Sequence, residues 1–195
     1  KTPYDANDRF ADLEKLKQQV SHWMTYGFNQ IGDKTKIATV PKGAEVLLET
    51  RLPYLTADQR RVVLKSTAIA SGYPVMDDVE GYGRLNLFRA GAGYGSFDGD
   101  VNLAMDANLG GFNQYDQWSN DITGAGKLTK SGTGTLALTG NNSFTGGIDL
   151  KQGGLEILSE HGAGQGDIYM HENSILKTNS AKTVNIAGNL TQLAG

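Results

Sequence analysis

Three histidines are the first residues to test for chemistry, because histidine changes its charge near neutral pH. They are His22, His161 and His171, and they are scattered along the chain. His22 is next to Trp23 with no neighbour at metal-ligand spacing, His161 lies in a glycine-rich corner, and His171 precedes Glu172. We expect a packed or exposed structural role for His22, and we expect His161 and His171 to be solvated loop residues. No Ser/His/Asp catalytic set can be assembled from them.

Acidic and glycine-rich motifs are the next candidates, for metal and phosphate binding. The stretch Asp98-Gly-Asp-Val-Asn102 begins like a calcium loop, but Leu occupies both positions where an EF-hand needs its Gly and its final Glu. The acidic run at 77–80 is typical of a solvated turn. GAGYG (91–95) and GAGQG (162–166) depart from the dinucleotide-binding pattern, so we expect turns there.

The aromatic residues Phe112, Tyr115 and Trp118 could line a sugar site, but we favour capping of the first coil of a repeat structure. The chain contains no cysteine, which excludes disulfides, thiolate metal sites and a cysteine nucleophile. Its net charge of −3 gives no basic face for nucleic acid. We therefore predict no catalytic, cofactor-binding or metal-ligating residue, no cofactor, no small-molecule site and no nucleic-acid partner.

The strongest structural pattern lies in residues 124–157, where apolar residues alternate with small polar ones. This period of two indicates strands, and Gly and Asn clusters separate them. Leu136 and Leu155 are 19 residues apart, and Leu155 and Ile175 are 20 apart. A coil of about 20 residues is what a parallel β-helix requires. Inward positions are expected at Leu136, Leu138, Ile148, Leu150, Leu155 and Ile157, and the ladder is expected to continue through Ile168, Met170, Ile175, Val184, Ile186 and Leu190.

The chain before about Gly81 has a different composition, with all four prolines and only four of the 26 glycines. Apolar residues at helical spacing predict a first helix around Phe10–Met24 and a second over about 42–51. Thr56-Ala-Asp-Gln59 has the capping-box pattern that starts a third helix, and a short fourth is expected over 85–90. In the second helix we expect four inward residues: Ala44, Val46, Leu47 and Leu48.

These patterns predict an α+β chain, in which a small α-helical segment (residues 1–92) caps a right-handed parallel β-helix (residues 93–195). The helical segment has more apolar surface than so short a segment can cover. The chain also begins at Lys1, without an initiator Met or a signal peptide. We therefore expect a processed piece of a longer protein, whose missing N-terminal portion contacts five residues: Phe10, Leu13, Leu16, Val20 and Trp23.

A family resemblance is carried by LTKSGTGTLALTGNNSFTGG (128–147), followed by LKQGGLEIL (150–158). These stretches resemble the autotransporter-associated β-strand repeat of bacterial secreted proteins, and WSNDITGAG (118–126) resembles the segment that usually precedes it. The resemblance implies a β-helical passenger that crosses the outer membrane through a C-terminal β-barrel translocator. It also implies a location at the bacterial cell surface or in the extracellular medium.

The helical half carries a second resemblance, through MTYGFNQIG (24–32), VPKGAEVLLETRLPYLTADQRRVVLKSTAIASGYPVMDD (40–78) and GYGRLNLFRAGAGYGSFDGDV (81–101). These stretches resemble the region after the catalytic core in bacterial acid phosphatases of the type 2 phosphatidic acid phosphatase/haloperoxidase superfamily. The resemblance implies that the intact protein hydrolyses phosphomonoesters with a histidine nucleophile, and that this chain supplies helical support and the β-helical stem. Ser71-Gly72 is followed by Tyr73 rather than His, so no active-site residue is carried over.

Two alternatives stay open. LTADQRRVVLKSTA (55–68) and GYGRLNLFRA (81–90) are also similar to the last helices of subtilisin-like proteases, which also occur as autotransporters. The Gly-Thr-Ser-Met-Ala nucleophile motif of that family is missing here. The other alternative is an adhesin or a structural passenger stalk with no enzyme attached. The segment that precedes Lys1 in the intact protein would separate the three possibilities.

Overall fold

The computed structural model describes residues 42–69, 85–178 and 181–194. The chain forms two compact units, Lys1–Gly95 and Ser96–Gly195. The predicted first helix, with the five residues expected to contact a missing portion, lies outside the described residues, as do the acidic run at 77–80 and His22. The described part of the first unit is helical, and the second unit contains the strands.

Helix α1 (Lys42–Arg51) buries one narrow face. Ala44 and Leu48 are one turn apart and are each 2% exposed, whereas Leu47 is partly exposed and Val46 is 53% exposed. The prediction that Val46 faces inward is therefore wrong. Two residues along an α-helix correspond to a rotation of about 200°, so Val46 points away from the face that holds Ala44.

Helix α2 (Ala57–Ser66) begins with the predicted capping box. Gln59 N donates to Thr56 Oγ1 at 3.2 Å, and Thr56 N donates to Gln59 Oε1 at 2.9 Å, so each residue satisfies a free amide of the other. The last described helix of this unit, α3, spans Leu87–Ala90. Asn86 is its N-cap and accepts from Arg89 N at 3.0 Å, which is why the helix starts two residues later than predicted.

The second unit is a parallel β-solenoid of about four coils, which confirms the predicted fold class. Its pairing forms two ladders. The first ladder joins β1, β3, the first half of β5, the first half of β6, and β7. The second ladder joins β2, β4 and the second halves of β5 and β6. The strands are β1 (Val101–Ala104), β2 (Tyr115–Trp118), β3 (Leu128–Ser131), β4 (Thr135–Leu138), β5 (Ile148–Ile157), β6 (Ile168–Thr178) and β7 (Leu190–Gln192).

The six residues predicted to lie inside the solenoid are fully buried. In the second ladder Leu136 pairs with Leu155 and Leu138 with Ile157, so apolar side chains of one coil lie directly above those of the coil before. Each fully buried aliphatic side chain contributes about 1.5–3 kcal/mol relative to an exposed one. Stacked aliphatic columns are therefore the main source of stability in this unit.

Two of the three aromatic residues predicted to form a capping loop, Tyr115 and Trp118, belong to the ladder instead, and the third, Phe112, lies in a short helix. Tyr115–Trp118 is strand β2, and it directly follows the one-turn helix α4 (Gly111–Gln114). The ring centroid of Trp118 lies 6.4 Å from that of Phe97, and the Phe97 centroid lies 4.9 Å from that of Phe144. The rings of Trp118, Phe97 and Phe144 are fully buried, so they fill the interior. Of the three candidates for a sugar site, Trp118 and Phe112 are buried and Tyr115 is partly exposed.

Among the residues predicted to continue the ladder, Val184 and Ile186 lie outside the strands and Leu190 is 53% exposed. Ile175 lies in β6 but on the opposite face. Partners in β5 and β6 are 20 residues apart at Leu150 but 21 apart at Gln152, because β6 holds one extra residue between these pairs. The extra residue is a β-bulge, and a slip of one residue moves a side chain to the other face of a strand. Ile175 is consequently 57% exposed. Leu176, and not Ile175, continues the column of Leu155.

Candidate functional site

Asn142 joins three successive coils through one buried side chain. Its Oδ1 accepts a hydrogen bond from Ile122 N at 2.8 Å, and its Nδ2 donates to Gly162 O at 2.8 Å. Each partner is 20 residues away in sequence, and Asn142 is 1% exposed. An amide has both a donor and an acceptor, so one Asn can satisfy a buried backbone N–H of the preceding coil and a buried C=O of the next.

Aspartate side chains make similar connections at other corners. In each case a carboxylate oxygen accepts a hydrogen bond from a backbone N–H of a later coil, and a charged acceptor strengthens such a bond. The pairs are Asp100 with Lys127 N (2.9 Å), Asp121 with Asn141 N (2.7 Å) and Asp167 with Asn189 N (2.7 Å). Asp100 belongs to the stretch that begins like a calcium loop, and this contact gives it a structural role.

Lys130 places a charged group inside the solenoid, where it is fully buried. Burial lowers the pKa of Lys130 from its ordinary 10.5 to about 8, so the ammonium form predominates at neutral pH. No carboxylate in the described part of the chain forms an ion pair with it. Its Nζ lies within hydrogen-bond distance of four backbone oxygens: Ser131 O (3.1 Å), Gly132 O (3.0 Å), Gly134 O (2.7 Å) and Gln152 O (3.0 Å). Its three N–H groups are shared among these four acceptors.

Glycine is required beside this ammonium. Gly153 has φ +71°, in the left-handed region that disfavours other residues. A Cβ at Gly153 would lie 2.3 Å from Gly132 O and 3.0 Å from Lys130 Nζ. The carbonyls and Gly153 therefore form a cradle that closely fits the ammonium. Lys130 and Asn142 were not predicted, although the alternation from Leu128 places Lys130 on the inward face of β3.

On the outer face of the first ladder, His171 Nε2 lies 2.7 Å from Asp149 Oδ1. Lys151 Nζ lies 4.0 Å from the other oxygen of the same carboxylate. His171 is part of β6, so the expectation of a solvated loop residue is wrong. Its contact joins β6 to β5 across one coil spacing. A similar outer contact runs from Tyr115 OH to Glu156 Oε2, at 2.8 Å.

The other candidate residues lie apart from one another, and each has a structural role. His161 is 45% exposed, with Nε2 3.9 Å from Glu160 Oε1. Gly93 (φ +99°) and Gly164 (φ +71°) lie within the two glycine-rich stretches at backbone angles typical of turns. Phe112 is 3% exposed. Within residues 42–69, 85–178 and 181–194, no three His, Cys, Asp or Glu side chains are grouped to hold a metal ion.

None of the helices described has the length and the apolar character needed to cross a membrane.

Comparison with known proteins identifies the repeat. The family described as passenger-associated-transport-repeat matches residues 128–157, which run from β3 to the end of β5. The extracellular serine protease of Serratia marcescens is 32% identical over 165 residues, and the alignment covers 69% of this chain. The autotransporter lipoprotein NalP of Neisseria meningitidis serogroup B is 27% identical over 184 residues, or 92% of this chain. The solenoid is part of an autotransporter passenger.

A third relative, the adhesin BmaC autotransporter of Brucella suis biovar 1, is 35% identical over 81 residues and covers 40% of this chain. The chain spans only 16%, 15% and 2% of the length of these three relatives. These relatives are described as extracellular or autotransporter proteins, and together with the passenger repeat they confirm the expected location at the bacterial surface or in the extracellular medium. They do not support the acid phosphatase interpretation and favour its alternatives.

Proposed function

We propose that this chain joins the last helices of a serine protease domain to the β-solenoid stalk of an autotransporter passenger. The solenoid acts as a non-catalytic stalk, and the active-site residues of the intact protein lie in other parts of it. A C-terminal translocator barrel is the partner expected for such a passenger. This proposal replaces the phosphatase interpretation with one of its alternatives.

The main support for this proposal is that two of the alignments are longer than the solenoid unit. The solenoid unit, Ser96–Gly195, makes up about half of the chain. The alignment with the Serratia protease covers 69% of the chain and that with NalP covers 92%, so both must extend into the helical unit. The adhesin alignment covers 40%, a length that the solenoid alone can accommodate. A likeness that includes the helical unit favours a protease over a bare stalk.

The helical unit supports the same proposal. The two stretches that are similar to the last helices of subtilisin-like proteases, 55–68 and 81–90, contain helices α2 and α3. The capping box at Thr56 starts α2 at the beginning of the first stretch, and Asn86 starts α3 within the second. The residues that carry the resemblance are therefore the ones that begin these helices.

The test compares the intact secreted protein with residues 1–195 alone. We expect the intact protein to hydrolyse casein and to lose this activity after treatment with a serine-directed fluorophosphonate. The isolated chain should be inactive toward casein. Release of p-nitrophenol from p-nitrophenyl phosphate, without casein cleavage, would contradict the protease proposal in favour of a phosphatase. If the folded intact protein shows neither activity, the protease proposal is also contradicted and the adhesin is favoured.

The adhesin or spacer stalk is the second candidate, and the alignment with the Brucella adhesin autotransporter is the observation that favours it. An adhesin would differ from the protease because it attaches cells to host surfaces without hydrolysing casein. Cells that display the intact protein should then bind to host surfaces equally well before and after the fluorophosphonate treatment.

A further inference from the structure

Lys130 is unusual among buried charges because its neighbours are neutral. Its Nζ lies 2.7–3.1 Å from four carbonyl oxygens, three of them from the corner 131–134 and the fourth, Gln152 O, from the next coil. The residues that surround it (Ser131, Gly132, Gly134, Gln152 and Gly153) carry no ionisable group. The charge is therefore stabilised by carbonyl dipoles alone.

A ring of backbone carbonyl oxygens is the type of site in which proteins hold monovalent cations, because the oxygens replace the hydration shell of the ion. The distances here exceed those of Ca²⁺ (about 2.3–2.6 Å) and of Mg²⁺ (about 2.0–2.1 Å). They suit an ammonium-sized ion. Without a cation, all four oxygens would lose the Lys130 donor, although Ser131 O and Gly134 O would still accept from Met105 N and Gly154 N. The loss of a hydrogen bond is costly where the carbonyl is buried, as it is at Gly134 O.

We propose that the corner between β3 and β4 is a monovalent-cation site which the chain fills with its own ammonium group. Lys130 thus acts as a tethered cation that closes the corner and bonds it to the next coil. Removal of the side chain should leave a site that accepts free ammonium from solution. This inference concerns the solenoid alone and does not depend on the function of the intact protein.

The burial of Lys130 supports this assignment. A fully buried lysine in an apolar environment is driven to its neutral form, with a pKa as low as about 5–6. The pKa of Lys130 is lowered only to about 8, so the group is charged at neutral pH. Hydrogen bonds to the charged form of a group favour that form, and the four carbonyl oxygens lie where the ammonium can donate to them.

The test uses Lys130→Ala in the 195-residue chain, with ammonium chloride as the probe. Tetramethylammonium chloride at the same ionic strength is the control salt, because its cation is too large for the site and has no N–H donor. We expect ammonium to raise the Tm of Lys130→Ala by about 3–6 °C over the control salt, at ten times its dissociation constant. Lys130→Met is the matched control variant, since its side chain fills the same space without a charge.

The Tm of the wild type should be the same in the two salts. The Tm of Lys130→Met should likewise not differ between them. Equal Tm values for Lys130→Ala in the two salts would overturn the proposal, as would an equal gain in all three proteins. If Lys130→Ala does not fold in either salt, NMR of the wild type with ¹⁵N-labelled lysine decides. At pH 6 a slowly exchanging ammonium signal with a nuclear Overhauser effect to the Gly153 α-protons would support the site, and its absence would overturn it.

Discussion

The two ladders of the solenoid differ in what they hold inside. In the second ladder the inward column begins with the buried Asp116 and continues with the apolar residues Leu136, Leu155 and Leu176. In the first ladder Lys130 lies between Leu103 and Leu150, and the three N–H groups of its ammonium are satisfied by backbone carbonyl oxygens. Hydrophobic burial has no direction, so the part of the second column from Leu136 to Leu176 needs only matching volume. The first column also needs a corner of defined geometry, which explains the left-handed Gly132 (φ +75°) next to it.

The largest effect is expected from a substitution that places a charge in the apolar column. Leu155→Asp buries an unpaired carboxylate between coils, where it is neither solvated nor paired, so we expect a loss of more than about 4 kcal/mol in the free energy of unfolding. The control is Gln152→Asp, whose side chain is exposed in the same strand. It should cost less than about 0.5 kcal/mol. Urea unfolding measures both variants, and equal losses would contradict the inward assignment of Leu155.

The next effect concerns the charged column and depends on pH. Burial lowers the pKa of Lys130 from 10.5 to about 8, so between these values the unfolded chain binds more protons than the folded one. The free energy of unfolding therefore rises as the pH rises from 8 to 10.5, by up to about 3 kcal/mol, and this gain is lost as the pH falls through 8.

Other groups titrate over the same range, so the measured quantity is the difference in free energy of unfolding between wild type and Lys130→Met. Titrations shared by the two proteins cancel in this difference. We expect the difference to grow in favour of the wild type from pH 7.5 to pH 10.5. Parallel pH curves for the two proteins would show that Lys130 has the same pKa in the folded and unfolded chains.

A smaller effect is expected at the corner that holds Asn142. Asn142→Ala leaves Ile122 N without its acceptor and Gly162 O without its donor, which should cost about 2 kcal/mol. Asn141→Ala is the matched control, because Asn141 is exposed and its contact with Asp121 is made by the backbone. Hydrogen exchange at Ile122 N should be faster in Asn142→Ala only. Unchanged exchange there would contradict the inter-coil role of Asn142.

The sequence predicts the apolar interior well, because a strand alternates its side chains between two faces and the coil length repeats. Leu136, Leu138, Leu155 and Ile157 could be placed inside without any knowledge of the corners. The same rule places Lys130 inside, since it follows Leu128 by two residues. What alternation does not supply is the set of carbonyl acceptors, because these come from the backbone of the corner and of the next coil.

Contacts that depend on the register of the strands are harder to predict from sequence. A spacing of 20 residues brings Asn142 to both Ile122 and Gly162. A spacing of 22 residues brings His171 to Asp149. One extra residue in a strand changes these lengths locally. Val46 shows the same limit in a helix, where a hydrophobic residue type does not identify the buried face.

The smallest expected effect tests the bulge in β6. If β6 had no extra residue, Ile175 would lie on the inward face and its replacement by Thr would cost more than 1 kcal/mol. With the bulge, Ile175 is 57% exposed, so we expect Ile175→Thr to change the free energy of unfolding by less than about 0.5 kcal/mol. Leu176→Thr is the matched comparison, because Leu176 pairs with Leu155 and is only partly exposed. It should cost about 1 kcal/mol. A larger loss for Ile175→Thr than for Leu176→Thr would reverse the assignment of the two faces, and Ile175 would then be the residue that continues the apolar column of Leu155.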